Sequence, residues 1–254
     1  MDEHQSGYER SAHLYDLFDD KENIDFFGHY AARAAAEPRS PEILDVGAGT
    51  GRIAIPLAER GITVTCVEPS PAMRDQFQRK VDRRPDLWDR IILVPGDAAS
   101  FSLERRFTAA FLSGTFDHFL DRRERLASLQ NIARHLEPGG MLVFDVFLGL
   151  MDDSPLTPAG RVRRADREYR RLVGRRGLPG HQVQVKLVFE VYQNDELIER
   201  IEEHSVAGVV DRGQVHDLLS QAGFSVRREF SDYDFTPYRR GDDLLIVGAV
   251  YEPD

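Results

Sequence analysis

The chain has 254 residues, a formal net charge of -10 and 41% hydrophobic residues, which suits one α/β domain of ordinary size or one domain with an insertion. So acidic a chain is a poor candidate for a general nucleic-acid binder, and no apolar run approaches the ~20 residues of a membrane helix. The single cysteine, Cys66, excludes an internal disulfide and a thiolate zinc cluster. Together with a polar, acidic N-terminus, these features predict a cytoplasmic protein.

The first forty residues predict helix, because their apolar positions recur at helical spacing. Pro38 and Pro41 are expected to end this helix. The apolar positions are Leu14, Leu17, Phe18, Phe26, Phe27 and Tyr30.

Between residues 42 and 147, short apolar strands alternate with helices. The predicted helices are one over 52–60, one that begins at Pro71 and one that is capped by Asp121. Strand–helix alternation with short turns predicts an α/β fold with a mostly parallel sheet and helices on both faces. The predicted strands are 42–46, 63–68, "IILVPGD", "FTAAFLSG" and "MLVFDVF".

Near Gly149 the pattern changes to strict alternation of apolar and polar residues. In "HQVQVKLVFEVYQ" every second residue from Val183 to Val191 is apolar, which is typical of half-exposed antiparallel strands. Residues 151–207 are therefore predicted to form an inserted antiparallel β lid. This lid also leaves a surface through which copies of the chain could associate into a homo-oligomer.

The core on either side of the lid is predicted to comprise residues 1–150 and 208–254. In the second part, a helix capped by Asp211 is followed by the strands "FSVRREF" and "LLIVGAVY".

Eight arginines lie between residues 161 and 176, against two acids, Asp166 and Glu168. One interpretation is recognition of an anionic acceptor or of RNA. The other is a solvated edge strand whose charges discourage aggregation between sheets. We prefer the second, because charge runs usually lie on the surface.

The stretch "ILDVGAGTGR" places Gly47, Gly49 and Gly51 directly after a predicted strand. Glycine weakens regular structure, so the turn needs either unusual dihedrals or missing side chains. A phosphate loop would need a lysine and a hydroxyl after the last glycine, and they are lacking here. The spacing also departs from the G-x-G-x-x-G of dinucleotide sites, and a tight turn without a ligand is the structural alternative.

Two acids lie at the ends of the neighbouring predicted strands. Glu68 ends the second strand, about 20 residues beyond the turn, where an acid can accept hydrogen bonds from ribose hydroxyls. Asp97 ends the third strand in "PGDAASF". Because strand ends at one sheet edge converge on one crevice, we expect a single pocket. It would suit an uncharged adenosine with a cationic tail better than a pyrophosphate.

Several segments of the sequence together resemble those of a known protein family. The segments "ILDVGAGTGR", "CVEPSPAM", "PGDAASF", "FTAAFLSGTFDHF" and "HLEPGGMLVFDVF" occur in the order seen in class I S-adenosylmethionine-dependent methyltransferases. The resemblance implies a Rossmann-like, seven-stranded sheet with a reversed final hairpin and S-adenosylmethionine as cofactor. The implied cofactor-binding residues are Gly47, Ala48, Gly49, Glu68, Pro69, Met73, Asp97, Ala98 and Ser113.

The resemblance also implies a role for most of these residues. Gly47 and Gly49 would pass under the methionine part, and Glu68 would hold the ribose. Pro69 and Met73 would pack near the adenine. At the same end of the cofactor, Asp97 would receive the adenine amino group, and the N–H of Ala98 would meet the ring.

Within this class, "AHLYDLFDD", "SGTFDHF" and the lid look like the small-molecule N-methyltransferases of antibiotic pathways, including aminosugar and lincosamide types. Tyr15 matches the tyrosine of that group's "YDLF" segment. His118 matches a histidine that some members place beside the acceptor amine. The resemblance therefore implies a small-molecule amine acceptor.

Four residues are candidates for work on the acceptor. His118 is the candidate base, because histidine titrates nearest neutrality. Tyr8 and Tyr15 would orient the amine or face the sulfonium, unless they only pack a helix against the core. Phe116 would form an apolar wall or belong to the core. The alternatives are an O-methyltransferase, an RNA-modifying enzyme and a non-catalytic binder of the cofactor.

Overall fold

The computed structural model describes residues 8–18, 21–35, 42–149 and 152–253. Its α-helices are α1 (Ala12–Tyr15), α2 (Lys21–Ala35), α3 (Ala54–Glu59), α4 (Pro71–Asp82), α5 (Arg122–Arg134) and α6 (Arg212–Gln221). Its first strands are β1 (Glu42–Val46), β2 (Thr63–Glu68), β3 (Ile91–Pro95), β4 (Phe107–Leu112) and β5 (Leu136–Phe147). The later strands are β6 (Ser154–Arg164), β7 (Arg167–Leu178), β8 (Gln182–Gln193), β9 (Glu196–Gly208), β10 (Phe224–Phe230) and β11 (Leu244–Tyr251).

Seven strands form the main sheet in the order β10-β11-β5-β4-β1-β2-β3. The strands from β1 to β5 are parallel, whereas β11 runs antiparallel to both β5 and β10. The predicted seven-stranded sheet with a reversed final hairpin is therefore confirmed. The strand order reverses between β1 and β4, and ligands of such sheets bind outside the carboxyl ends of the strands at this point.

Helices cover both faces of the main sheet, because neighbouring residues of its strands point to opposite sides. On β1, Leu44 packs in the core beneath α5 and α6, where Leu129 and Leu218 lie. Ile43 packs in a second core together with Phe27 of α2. Both faces of the central strands are thus buried, which explains why these strands read as nearly continuous apolar runs.

The single N-terminal helix predicted from the sequence is wrong for the described residues. A 3₁₀ turn over Asp16–Phe18 follows α1, and α2 begins at Lys21. The reason is that the two apolar stripes serve different cores: Leu14 packs against the second sheet, whereas Phe26 packs against the main sheet. The predicted helix end at Pro38 and Pro41 lies outside the described residues.

The second sheet has four antiparallel strands in the order β6-β7-β8-β9. The alternation predicted along β8 is present, since Val183, Leu187 and Phe189 are buried. Their face, which we call the inner face, packs against an N-terminal segment formed by residues 8–18. The opposite, outer face carries mostly charged side chains.

The N-terminal segment connects the two sheets through polar contacts. At one end, the Arg10 N–H and the Ser11 hydroxyl donate to the carboxylate of Glu203 on β9. At the other end, the Thr50 hydroxyl donates to Asp16 Oδ1 at 2.5 Å, beside the glycine turn. Lys80 of α4 pairs with the same aspartate at 2.8 Å. The segment therefore lies across the edge of the main sheet at which the predicted pocket opens.

None of the helices in the described parts of the chain is long and apolar enough to cross a membrane.

Candidate active site

The three glycines after β1 all have positive φ, at 73° for Gly47, 56° for Gly49 and 81° for Gly51. A Cβ on Gly47 would lie 2.3 Å from Thr115 Oγ1, and one on Gly51 would lie 2.3 Å from the Phe77 ring. A Cβ on Gly49 would meet nothing within 4 Å. The turn therefore needs glycine dihedrals throughout, but only Gly49 faces open space into which a ligand can come close.

Glu68 ends β2 and ties this turn to the next helix. Its Oε2 accepts a hydrogen bond from the Gly49 N–H, and its Oε1 accepts one from the Ser70 N–H, both at 2.8 Å. Burial raises the pKa of Glu68, and the two backbone hydrogen bonds oppose this rise. The carboxylate thus lies directly beside the open space at Gly49, where the sequence predicted a ribose-binding acid.

The other predicted adenosine contacts lie at the ends of β2 and β3. Pro69 is exposed, whereas Met73 is buried in the first turn of α4. Asp97 is exposed, and its Oδ1 accepts a hydrogen bond from the Ala99 N–H at 2.8 Å. Ala98 is buried, so only its backbone could meet an adenine ring. Because β2 and β3 are neighbours in the sheet, these residues lie along one edge.

Ala48 is buried within the glycine turn, and its N–H donates to the Val67 carbonyl at 3.2 Å. The Gly47 N–H donates to the same carbonyl at 2.8 Å. These two hydrogen bonds hold the turn against β2 and fix the direction in which Gly49 points.

Ser113 follows β4 and belongs to a polar network that the sequence analysis missed. Its hydroxyl accepts a hydrogen bond from Asn23 of α2 at 2.8 Å. The next residue, Gly114, donates its N–H to Asp145 Oδ1 at 2.6 Å, and the Tyr233 hydroxyl donates to Asp145 Oδ2 at 2.9 Å. Burial raises the pKa of Asp145. A second patch of open space lies here, because a Cβ on Gly114 would also meet nothing within 4 Å.

Asp45, two residues before the glycine turn, is a further buried acid that the sequence analysis did not select. Its Oδ2 has no hydrogen-bond partner among the described residues. Burial and the charge of Glu68 raise the pKa of Asp45 to about 7, against the opposing effect of Arg52. An unpartnered carboxyl oxygen beside the turn fits a ligand that carries positive charge.

Three of the predicted acceptor-site residues lie together. The Tyr8 ring is 5.3 Å from the Tyr15 ring and 6.1 Å from the His118 ring, centroid to centroid, and both pairs are edge-on. Burial lowers the pKa of His118, which favours the neutral imidazole. Burial raises the pKa of Tyr8 well above its ordinary value, so its phenol stays protonated. We call these three residues the aromatic cluster.

Phe116 occupies a different environment. It is fully buried, and its ring lies 4.7 Å from the ring of Phe144 and 5.7 Å from that of Phe119, centroid to centroid. It therefore packs in the core of the main sheet and does not line a pocket as an acceptor wall. Its contribution is to anchor the 3₁₀ turn Phe116–His118, which carries the histidine.

Asp117, next to His118, is also buried. Both of its carboxyl oxygens lie 3.3 Å from the N–H of Phe147, at the end of β5. Burial, with a smaller effect of Asp145, raises the pKa of Asp117 to about 8. The strand ends of β1, β4 and β5 therefore surround the pocket edge with acids of raised pKa.

Comparison with known proteins agrees with this arrangement. A family model described as a methyltransferase domain matches residues 43–140. Cypemycin N-terminal methyltransferase from Streptomyces sp. is 34% identical over 105 residues, which are 41% of this chain and 40% of that protein. The chain spans about half the length of the curated relatives it matches.

Two solved structures cover nearly the whole chain. The CcbJ methyltransferase from Streptomyces caelestis has a TM-score of 0.79 at 21% identity, over 98% of this chain and 99% of that one. The S-adenosylmethionine-bound amino pentose methyltransferase CalS10 from Micromonospora echinaspora has a TM-score of 0.70 at 22% identity, over 90% and 91%. Residues 43–140 thus match a methyltransferase domain, and the fold of the chain is similar to that of solved methyltransferases.

Proposed function

We propose that the chain transfers a methyl group to an amine nitrogen of a small molecule, in the biosynthesis of a natural product such as an antibiotic. The observation that carries the proposal is the aromatic cluster, in which the His118 imidazole lies between the main sheet and the N-terminal segment. The names of several similar proteins support an amine acceptor, since they are N-methyltransferases of a peptide N-terminus, a sugar and a glycopeptide.

The described residues fit the cofactor on three counts. Gly49 leaves open space, Glu68 ends β2 beside it, and the carboxyl of Asp45 has an unpartnered oxygen. We expect Glu68 to exchange its hydrogen bond from Gly49 for hydrogen bonds from ribose hydroxyls. Asp97 and the backbone of Ala98 would then receive the adenine.

When bound, S-adenosylmethionine supplies a methyl group on a positively charged sulfur that is already a good leaving group. The protein therefore has to align the acceptor and keep its nitrogen neutral. Alignment alone can lower a barrier by roughly 7–11 kcal/mol. A positioned base adds about 10²- to 10⁴-fold.

His118 is the candidate base, because burial favours its neutral form and a ring nitrogen could then accept the proton that the acceptor nitrogen releases as it is methylated. Tyr8 has the opposite property, because its raised pKa keeps the hydroxyl hydrogen in place for donation. Tyr15, edge-on to Tyr8, would hold that phenol in position. The cluster thus offers one proton acceptor and two phenols.

The same neutral imidazole makes O-methyl transfer the second candidate, because a hydroxyl acceptor needs a base more than an amine does. Transfer to RNA has less support, because the net charge of the chain is -10 and three members of the arginine run already pair with Glu168.

The experiment is a methyl-transfer assay with isotopically labelled S-adenosylmethionine and matched acceptors that carry either an amine or a hydroxyl at the same position, such as glucosamine and glucose. Methylation of amines, with no transfer to their hydroxyl partners, is the expected result. Transfer to the hydroxyl members alone would establish the second candidate in place of the first.

A further inference from the structure

The arginines of the second sheet fall into two groups with different surroundings. Arg161, Arg163 and Arg170 surround the carboxylate of Glu168, at 2.5, 2.9 and 2.7 Å. The strand register places all four on the outer face, because Arg161 is opposite Arg170 and Arg163 is opposite Glu168. Hydrogen bonds from these arginines lower the pKa of Glu168. The remaining donors of these exposed arginines face solvent, so the group requires no ligand.

Arg171 points to the inner face instead. Its neighbours across the strands are Gly160 on β6 and Phe189 on β8. The guanidinium carbon lies 5.1 Å from the centroid of the Phe18 ring, which in turn lies 5.8 Å from the ring of Phe189. A Cβ on Gly160 would come within 2.7 Å of Phe18, so the glycine makes room for this ring. Arg171 is therefore held between the second sheet and the N-terminal segment.

The guanidinium of Arg171 is incompletely satisfied. One Nη2 hydrogen bond goes to the Ala159 carbonyl at 3.2 Å. The Nε is buried and has no hydrogen-bond partner, and no carboxylate within the described residues forms an ion pair with this arginine. A buried N–H donor without an acceptor is destabilising, although the outer part of this side chain reaches solvent. The cation–π contact with Phe18 offsets part of this cost but supplies no acceptor for the Nε hydrogen.

Arg171 also lies near the aromatic cluster. Its charge opposes, together with that of Arg52, the rise in the Tyr8 pKa that burial, Tyr15 and Glu203 produce. The Tyr8 ring contacts both Tyr15 and His118. Tyr8 and Phe18, the ring beside Arg171, pack against the same apolar cluster of the second sheet, so the guanidinium and the aromatic cluster border the same inner face.

We propose that Arg171 binds an oxyanion, a carboxylate or a phosphate, that the methyl acceptor carries away from its reacting amine. A guanidinium suits this task because its planar donors match two oxygens of such a group. The identification of the bound molecule as the methyl acceptor rests on the proposed function, whereas the presence of an oxyanion site at Arg171 does not. It would make Arg171 a specificity-determining residue that selects amines bearing a negative charge.

The test is calorimetric titration of the protein, saturated with S-adenosylhomocysteine, with inorganic phosphate and separately with acetate. We expect saturable binding of at least one anion and a weakening of at least tenfold in Arg171→Gln, by the loss of a charge-assisted pair. The anion that binds more tightly identifies the class of the acceptor's charged group. Arg163→Gln is the matched control, because Arg163 is 70% exposed and belongs to the outer-face group. Its anion affinity should equal that of the wild type.

Arg171→Lys distinguishes a role of the charge from a role of the planar guanidinium, because lysine keeps the positive charge but lacks the planar set of donors. Unchanged affinity for S-adenosylhomocysteine shows that each variant is folded. Equal anion binding in the wild type and Arg171→Gln would overturn the proposal, as would the lack of saturable binding in the wild type.

A second experiment distinguishes a failure of the oxyanion site from a failure of the proposed function. Glucosamine and glucosamine 6-phosphate are compared as acceptors with the wild type and Arg171→Gln. A preference for the phosphorylated amine that disappears in the variant supports both proposals. Anion binding that depends on Arg171, without methylation of any amine in the panel, supports the site and contradicts the amine acceptor.

Discussion

The two sheets build the two halves of the site in different ways. At the edge of the main sheet, the backbone does most of the work: glycine dihedrals open the turn, and N–H groups of the turn and of α4 meet Glu68. Against the inner face of the second sheet, side chains from distant segments meet: Tyr8 lies beside His118, and Phe18 lies beside Arg171. On the proposed assignment, backbone geometry holds the cofactor, whereas side chains from distant segments recognise the acceptor.

The largest effect on cofactor binding is expected at Gly49. Valine there is strained at a φ of 56° and projects into the open space, so we expect Gly49→Val to abolish measurable binding of S-adenosylmethionine. The measurement is calorimetric titration with the cofactor. Gly180 is the matched control, since it also has positive φ and open surroundings but lies between β7 and β8. Gly180→Val should bind the cofactor like the wild type, and equal loss in both variants would mean that strain alone is responsible.

The next effect is expected at His118, on the acceptor side. His118→Ala should lower kcat by about ten- to a thousand-fold, the range for a lost acid–base group, with cofactor affinity unchanged. Because burial lowers the pKa of His118, the wild type should lose activity only as the pH falls below the ordinary histidine range, when the imidazole becomes protonated. The variant should lack this acidic limb and recover part of its activity at high pH, where more amine is neutral.

His204→Ala is the control for this prediction, since His204 is exposed on β9. A His118→Ala variant with the kcat of the wild type at every pH would remove the histidine from the mechanism and leave Tyr15 as the next residue to test.

A substitution at Glu68 should weaken cofactor binding and leave kcat little changed, the reverse of the pattern expected at His118. Glu68→Ala leaves the N–H groups of Gly49 and Ser70 without their acceptor and removes the expected ribose contact, so the cofactor should bind more weakly by about 1–3 kcal/mol. Once the cofactor is saturating, kcat should change little. The cofactor affinity of Glu68→Gln, which keeps one acceptor oxygen, should lie between those of the wild type and Glu68→Ala. Unchanged cofactor affinity in a folded Glu68→Ala variant would contradict the assignment.

The smallest effect is expected where the N-terminal segment meets the main sheet. Asp16→Ala removes the hydrogen bond from Thr50 and the ion pair with Lys80. Both partners of that pair are about one-third exposed, so the loss should be near 1 kcal/mol or less. We expect a rise in KM for the acceptor of about fivefold or less. A larger effect on cofactor affinity than on the KM for the acceptor would mean that the N-terminal segment supports the cofactor-binding half of the site.

Much of the cofactor half could be predicted from the sequence because its signals are local. The glycine spacing and Glu68 occur at fixed offsets from apolar strands, and helix starts at Pro71 and Asp121 follow from capping chemistry. Asp145, by contrast, is a single acid within an apolar strand, and only the strand order brings Asn23 and Tyr233 near it. An acid inside an apolar run was the signal that could have found it.

The acceptor half was harder because its residues meet only through tertiary packing. Helical periodicity runs through the N-terminal region without a break, yet its two stripes face two different sheets. The arginine run, likewise, looks uniform in sequence, but alternate residues of a strand point to opposite faces. Arg170 and Arg171 therefore have unrelated environments despite being neighbours.

We propose that the cofactor binds along the main-sheet edge and leaves the inner face of the second sheet for the acceptor. Amide hydrogen exchange with and without S-adenosylhomocysteine measures this directly. We expect slower exchange in residues 47–52, 68–73 and 113–115, with exchange in β7 and β8 unchanged. Protection confined to the second sheet, with none in the glycine turn, would contradict it.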